Sequence, residues 1–298
     1  MRPEGRRHGR GRLGLALALL CLGAGCVATQ PSLRSTLSAS TPVGEFRITH
    51  AEIDAEAARR VQRALEHAGP RLAIWGRLVA PVSVKVLPSH KALERAVDRS
   101  GYGWLRAWAR YDEVFVQSPR TWSLLGPRQR EVDELMLHEL THCLMYQLAA
   151  TPSGWARKRI PLWFREGMAS YTAKQGDRWP SLEDLARHLE RRPEDDLLRQ
   201  ADALYQEESD TVYGAAHHAF TFLVKRYGEQ TVRELLWAMK RGPPFAPAFE
   251  AVVGVSEHTF LEDFSRYVRL RGFRPGRLER TLALPPSPRQ PLSPSGGG

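Results

Sequence analysis

The chain reads Leu135-Met136-Leu137-His138-Glu139-Leu140-Thr141-His142-Cys143-Leu144 near its middle. In an α-helix, residues four apart lie on one face, so His138 and His142 can direct both imidazoles at one ion about 2.1 Å from each nitrogen. Glu139 projects to the side of this pair, where a carboxylate can take a proton from water that the ion activates. The spacing therefore predicts a zinc site with Glu139 as the catalytic base.

The segment around this motif predicts a buried helix over residues 129–149. Apolar side chains wrap nearly all of its circumference, namely Leu135, Met136, Leu137, Leu140, Leu144, Met145 and Leu148. Burying two histidines and a glutamate costs free energy unless a metal or hydrogen bonds satisfy them. Accidental matches to the motif are usually exposed, so the apolar surroundings favour a metal site.

A catalytic zinc ion needs a third protein ligand and one open coordination position. The residues directly after His142 offer neither a glycine nor a third histidine, so a downstream carboxylate must serve. Glu166 is the leading candidate, because aromatic neighbours bury its predicted helix and small residues let that helix approach the metal helix. Glu183 and Asp184 are weaker candidates, because they lie in a polar helix.

The first 25 residues have the pattern of a lipoprotein signal peptide. Arginines precede an apolar stretch, residues 13–22, that is too short to span a bilayer. Residues 22–26 read Leu-Gly-Ala-Gly-Cys and resemble the bacterial lipobox, although the leucine lies one position further from the cysteine than usual. The pattern predicts cleavage before Cys26 and lipidation of that cysteine. Cleavage after Ala28 and an uncut anchor helix are the alternatives.

Composition and charge bound the class of protein. The chain has 298 residues and a net charge of +10; five arginines and Glu4 give the leader +4, which leaves +6 on the mature chain. The remaining basic residues are scattered among acidic ones, and no basic run with interleaved aromatics occurs. A nucleic acid is therefore not a predicted partner.

The chain divides by composition into four parts. A signal peptide over residues 1–25 precedes a Ser-, Thr- and Pro-rich tether over 26–45, and a Pro- and Gly-rich tail covers 284–298. The predicted folded domain covers residues 46–283. It comprises an α+β lobe, 46–150, with a small mixed sheet and the metal-binding helix, and a helical lobe, 151–283.

Residue periodicity gives the elements of this domain. Alternating β-branched residues predict strands over 82–87 and 112–117. Helical spacing marks residues 51–68, 91–98, 129–149, 162–173, 181–191, 211–227, 229–240, 245–253 and 257–271.

Three stretches resemble the gluzincin metallopeptidases, and within them the bacterial peptidase MA-like proteins: residues 137–142, 162–171 and 213–228. The resemblance implies a zincin fold like that of thermolysin, and a Zn²⁺ ion held by His138, His142 and Glu166. It also implies hydrolysis of a peptide or protein substrate with Glu139 as base. A strand before the metal helix, matching residues 114–117, would pair with the extended substrate at the sheet edge.

The resemblance also suggests supporting residues. It places Tyr213 on the helix after the glutamate helix, where a hydroxyl can stabilise charge on the carbonyl oxygen. A packing role for this tyrosine is the alternative, and His217, one turn on, faces the same side and can assist. Ser170 stands one turn after Glu166, where thermolysin-type enzymes have an aspartate, so other groups must orient the histidines.

These observations predict an exported zinc metallopeptidase that is lipid-anchored to the bacterial cell envelope, at the outer membrane or the periplasmic face. A secreted form is the alternative location. Two other functions stay open: a catalytically silent zincin-fold lipoprotein that binds or assembles envelope components, and a protein whose basic face contacts anionic lipid. The sequence gives no prediction of oligomeric state.

Overall fold

The computed structural model describes residues 35–204 and 208–271, which form a mixed sheet and a set of helices. The strands are β1 (Ser35–Thr41), β2 (Gly44–His50), β3 (Val82–Leu87), β4 (Ala107–Ala109) and β5 (Glu113–Gln117). The helices are α1 (Ala55–Leu72), α2 (His90–Val97), α3 (Gln129–Ala149), α4 (Leu162–Thr172), α5 (Leu182–Arg191), α6 (Ala201–Leu204), α7 (Ser209–Lys240), α8 (Phe245–Val253) and α9 (Glu257–Arg269).

The sheet has the strand order β1-β2-β3-β5-β4. Strands β2, β3 and β5 run parallel, whereas β1 and β4 pair antiparallel with their neighbours at the two edges. All the described residues belong to one compact α+β unit. The predicted division into two lobes at residue 150 stays a prediction.

The predicted tether is wrong for residues 35–45, which form β1 and the start of β2. Every residue of β1 pairs with β2, and Leu37 and Ala39 turn inward between exposed serine and threonine side chains. The alternation is that of an edge strand, but its polar face resembles the composition of a linker. The leader, Cys26 and the tail at 284–298 lie outside the described residues.

Most of the other predicted elements are confirmed. Strand β3 has the predicted bounds, β5 begins one residue late, and α3 covers the predicted residues 129–149. The predicted helices at 211–227 and 229–240 are confirmed as two helical parts of α7, which are separated by a kink at Gly228 because its φ of 87° is not helical. Strands β2 and β4 were not predicted, and β4 has only three residues, too few to show a periodicity.

Helix α3 lies at the centre of the fold. It contacts α1, α4 and α7 on its sides and β4 and β5 on the sheet. Ten successive residues, 138–147, are buried, as the apolar pattern around the motif predicts. The sheet and the surrounding helices therefore hold the metal-binding motif away from bulk solvent. None of the described helices is both long and apolar enough to cross a bilayer.

Helix α4 reaches this centre because it packs very closely on α7. A Cβ atom at Gly167 would lie 2.4 Å from the backbone oxygen of Ala216 and 2.6 Å from Cβ of Phe220. Trp163 and Phe164 on the same helix are almost fully buried, and the Trp163 indole donates to Glu257 at the start of α9. Together these contacts fix the position of α4.

We predict that Gly167→Ala lowers the free energy of unfolding by about 1–3 kcal/mol, because the added methyl group forces α4 and α7 apart. The matched control is Gly103→Ala, where an added Cβ meets nothing within 4 Å. That change should leave stability almost unaltered. Urea unfolding of both variants measures the difference, and equal stabilities would contradict the close approach.

Candidate metal centre

Helix α3 brings the two histidines of the motif together. His138 and His142 lie one turn apart, and their Nε2 atoms are 3.2 Å apart. Both side chains are buried, with 9% and 7% of their surface exposed. Two ring nitrogens therefore meet in a space with little access to water.

Glu166 on α4 completes the group. Its Oε2 lies 3.3 Å from Nε2 of His138 and 3.6 Å from Nε2 of His142. Among the described residues, these three side chains are the cluster of His, Cys, Asp or Glu that can hold a metal ion. Glu183 and Asp184 lie elsewhere on α5, where both pair with Arg187.

The spacing of the three donor atoms fits a zinc ion. A tetrahedral zinc about 2.0–2.1 Å from each ligand separates neighbouring donors by about 3.4 Å. The observed separations of 3.2, 3.3 and 3.6 Å bracket this value. Two imidazoles and one carboxylate also form a known donor set of catalytic zinc. The residues present therefore fit the ion that the sequence predicts.

Gln175 orients His138, the first of the predicted ligands, and the sequence gives no sign of this role. Its Oε1 accepts from Nδ1 of His138 at 2.9 Å, which leaves the lone pair of Nε2 free to face the centre. The loop after α4 turns through Lys174 (φ 55°), and the backbone N–H of Gln175 donates to the backbone oxygen of Ser170. By contrast, Nδ1 of His142 has no hydrogen-bond partner among the described residues.

The electrostatics of the centre favour a cation. Burial raises the pKa of the Glu139 carboxyl, and His138 and His142 offset part of that rise. Burial also opposes ionisation of Glu166, but the two histidines hold its pKa well below its usual value. For His138, burial lowers the pKa, but the hydrogen bond to Glu166 and the Glu139 charge raise it overall. An ionised carboxylate in so buried a space calls for a positive partner.

The sheet edge beside the centre is β4, so the expectation of an edge strand at residues 114–117 is wrong. Those residues belong to β5, which pairs with β3 on one side and with β4 on the other. The backbone N–H of Ala109, on β4, donates to the Glu139 carboxylate. A strand too short to predict therefore occupies the edge next to the predicted base.

Ser170, which stands where thermolysin-type enzymes have an aspartate, contacts two rings outside the predicted ligand group. Its hydroxyl is 2.9 Å from Nδ1 of His217 and accepts from the Trp179 indole at 2.8 Å. The structure shows it holding these two rings rather than a metal ligand. Burial, with the neighbouring His218, lowers the pKa of His217 to about 4, so this imidazole is neutral at neutral pH.

Tyr213 stands on α7 outside the three-residue ligand group. Its ring stacks on Trp179, with centroids 5.0 Å apart, and meets Trp104 edge-on at 6.3 Å. Because Trp179 also bonds to Ser170, one turn from Glu166, the aromatic group lies close to the glutamate helix. Tyr213 therefore makes the packing contacts that the alternative interpretation expects. Its role as a hydrogen-bond donor to the carbonyl oxygen stays a prediction.

No protein-family model matches the sequence, and no curated protein matches it either. An M1 zinc metallopeptidase from Deinococcus radiodurans is similar in structure, with 17% sequence identity, a TM-score of 0.37, and coverage of 81% of this chain and 52% of that one. A two-domain M1 zinc metallopeptidase mutant bound to L-arginine gives 16% identity, a TM-score of 0.38, and coverage of 81% and 53%. The chain thus spans about half the length of these proteins. Such low scores carry no argument about function, which must come from the site itself.

We predict that Gln175→Leu weakens zinc binding about 10- to 100-fold, because His138 loses the acceptor that fixes its ring. Gln175→Glu keeps an acceptor at this position and should retain most of the affinity. Competition with a chelating dye measures both dissociation constants, and circular dichroism checks the fold. A Leu variant that binds zinc as tightly as the unaltered chain would show that Gln175 has no orienting role.

Proposed function

We propose that this chain is a zinc-dependent metallopeptidase that hydrolyses peptide bonds. The observation that carries the proposal is the convergence of His138, His142 and Glu166 donors beside the buried Glu139. A zinc ion held there supplies a Lewis acid that activates water and polarises a peptide carbonyl. A purely structural site has no physical need for the adjacent base.

The residues of the chain divide the remaining work. Glu139 accepts a proton from the attacking water while the water oxygen bonds to the carbonyl carbon. It then delivers that proton to the amine nitrogen when the C–N bond breaks. The Ala109 amide fixes one side of this carboxylate. Gln175 holds His138 in the tautomer that a ligand needs.

The free edge of β4 is the proposed docking strand for the substrate. β4 pairs with β5 through one edge, and Ala109 at its end contacts the base. An extended peptide that adds to the other edge would run past Glu139 with its backbone held by main-chain hydrogen bonds. This arrangement needs no particular side chain at the cleaved bond.

Tyr213 is the proposed donor to the developing oxyanion. Its stacking on Trp179 restricts the ring, so little conformational freedom is lost when the hydroxyl donates. His217, one turn on, could assist, because its Nδ1 lies 2.9 Å from the Ser170 hydroxyl and an imidazole that accepts there carries its proton on Nε2.

The proposed location is the bacterial cell envelope, with the chain attached through lipid on Cys26. The support is the sequence pattern of the leader. Secretion after cleavage at Ala28 is the alternative.

A catalytically silent binding or assembly lipoprotein is the second candidate function. Two observations favour it: His142 Nδ1 lacks a partner among the described residues, and Ser170 bonds to His217 and Trp179. Poorly oriented ligands lower metal affinity and activity.

We predict that Glu139→Gln lowers peptide cleavage at least about 10²- to 10⁴-fold while zinc content stays the same, because the base is lost and the ligands remain. Glu134→Gln is the control, since Glu134 lies on the same helix but pairs with Arg130 and Arg178. A peptide-library digest with and without a chelator measures the activity. Cleavage that survives both the chelator and the Glu139→Gln change would exclude the peptidase chemistry; zinc binding without any cleavage would favour the silent lipoprotein.

We predict that Tyr213→Phe lowers kcat about 10²- to 10³-fold with little change in KM, because stacking persists while the donor is lost. Tyr171→Phe removes a hydroxyl that bonds to Glu229 instead and serves as the control. Steady-state kinetics on one cleaved peptide separate the two parameters. An unchanged kcat in the Tyr213 variant would leave this residue with a packing role alone.

A further inference from the structure

We propose that a loop at one end of the domain inserts into the surface of an anionic lipid bilayer. The loop, residues 118–128, connects β5 to α3 and is here called the leucine loop. At its tip Leu124 and Leu125 are 106% and 99% exposed, more than any other large apolar side chain described. Adjacent leucines so fully exposed to water are unfavourable unless a partner covers them.

The leucine loop is held at both ends, so its tip is displayed in a fixed place. On the first side, Ser118 and Arg120 both bond to the buried Asp54, at 2.7 and 3.1 Å. On the second side, Arg60 donates to the backbone oxygen of Pro127 at 2.9 Å. The start of α1 therefore supports the whole loop.

The described chain begins at the same end of the domain. Strands β2 and β5 are both parallel to β3, so their carboxyl-terminal residues, His50 and Gln117, lie at the same end of the sheet. Ser35, the first residue of β1, pairs with His50 and therefore lies at that end too. Just beyond His50, Ile53 adds a further apolar side chain with 65% exposure.

This placement argues for a bilayer as the occupant. The predicted lipid carrier, Cys26, precedes Ser35 by nine residues, and nine extended residues reach about 32 Å at most. A lipid anchor on so short a connection keeps the end that carries Leu124 and Leu125 near the membrane. The inference goes beyond the proposed peptidase function and needs no activity at the metal centre.

The charges around the tip suit anionic lipid. Arg120 and Arg128 flank the leucines along the chain and are exposed. Arg120 pairs with Asp54, and Arg60, beside Pro127, pairs with Glu56, whereas none of the described ion pairs includes Arg128, so Arg128 is the main cation offered to lipid. Apolar side chains enter the boundary between headgroups and acyl chains, whereas arginine stems lie along it and keep their charge at the phosphates. A net charge of +6 on the predicted mature chain adds long-range attraction.

A polarity-sensitive label at the loop tip tests the proposal in the full chain. The parent carries Cys21→Ser and Cys26→Ser, because the remaining Cys143 is buried and will not react with an NBD reagent. Leu125→Cys places the label in the leucine loop, and Trp237→Cys places it at an exposed site on α7 as the control. The probes are vesicles of phosphatidylcholine with phosphatidylglycerol, and the same vesicles with doxyl-labelled acyl chains.

We expect NBD emission at position 125 to rise about threefold, shift to the blue and be quenched by doxyl lipid, as insertion requires. The label at position 237 should stay in water even when the leader holds the chain on the vesicles. Arg128→Gln should weaken the response at position 125, and phosphatidylcholine alone should give little.

Three results would overturn the proposal. The first is a label at position 125 that is as exposed as the one at position 237. The second is equal insertion into phosphatidylcholine alone, which removes the part assigned to charge. The third is a blue shift without vesicles that grows with protein concentration, which would show that a second copy of the chain covers the leucines.

Discussion

The fold holds three metal-donor atoms close together in a buried space, and the surrounding helices are arranged to keep them there. His138, His142 and Glu166 bring donor atoms within 3.2–3.6 Å of one another in a region with little water. Such a group is costly to bury unless a cation or further hydrogen bonds compensate it. A zinc ion would satisfy all three donors at once.

The fold supplies the rigidity that this arrangement needs. Helix α3 contacts three helices and the sheet, so the backbone that carries the two imidazoles is held in place. Glu166 comes from a separate helix, α4, which packs closely on α7 because position 167 is glycine. Gln175, just after that helix, then fixes His138. Packing between helices therefore sets the geometry of the centre as much as the motif does.

The parts of the site that depend on local periodicity could be predicted from the sequence. His138, Glu139 and His142 follow from helical spacing, and Glu166 from an apolar helix with small residues. Gln175 could not be predicted, because its contact joins residues 37 apart and no motif marks it. Its role becomes visible only when α3 and α4 are packed together.

The sheet shows the same division between local and distant information. The β-branched strands β3 and β5 were predictable, but β1 resembles a linker in composition and β4 has only three residues. Pairing with a neighbour defines both of these edge strands, and a pairing partner is not a property of the local sequence. As a result, the edge strand that the family resemblance implies at residues 114–117 is β5, which lies inside the sheet.

Zinc analysis of the purified full chain after dialysis tests the metal centre most directly. The geometry predicts one zinc per chain, lost in His142→Ala and Glu166→Ala. It should be retained in His188→Ala, whose imidazole is as buried as that of His138 but bonds to Asp195 instead. A chain that holds no zinc and takes up none when it is added, or equal loss in the His188 variant, would contradict the assignment.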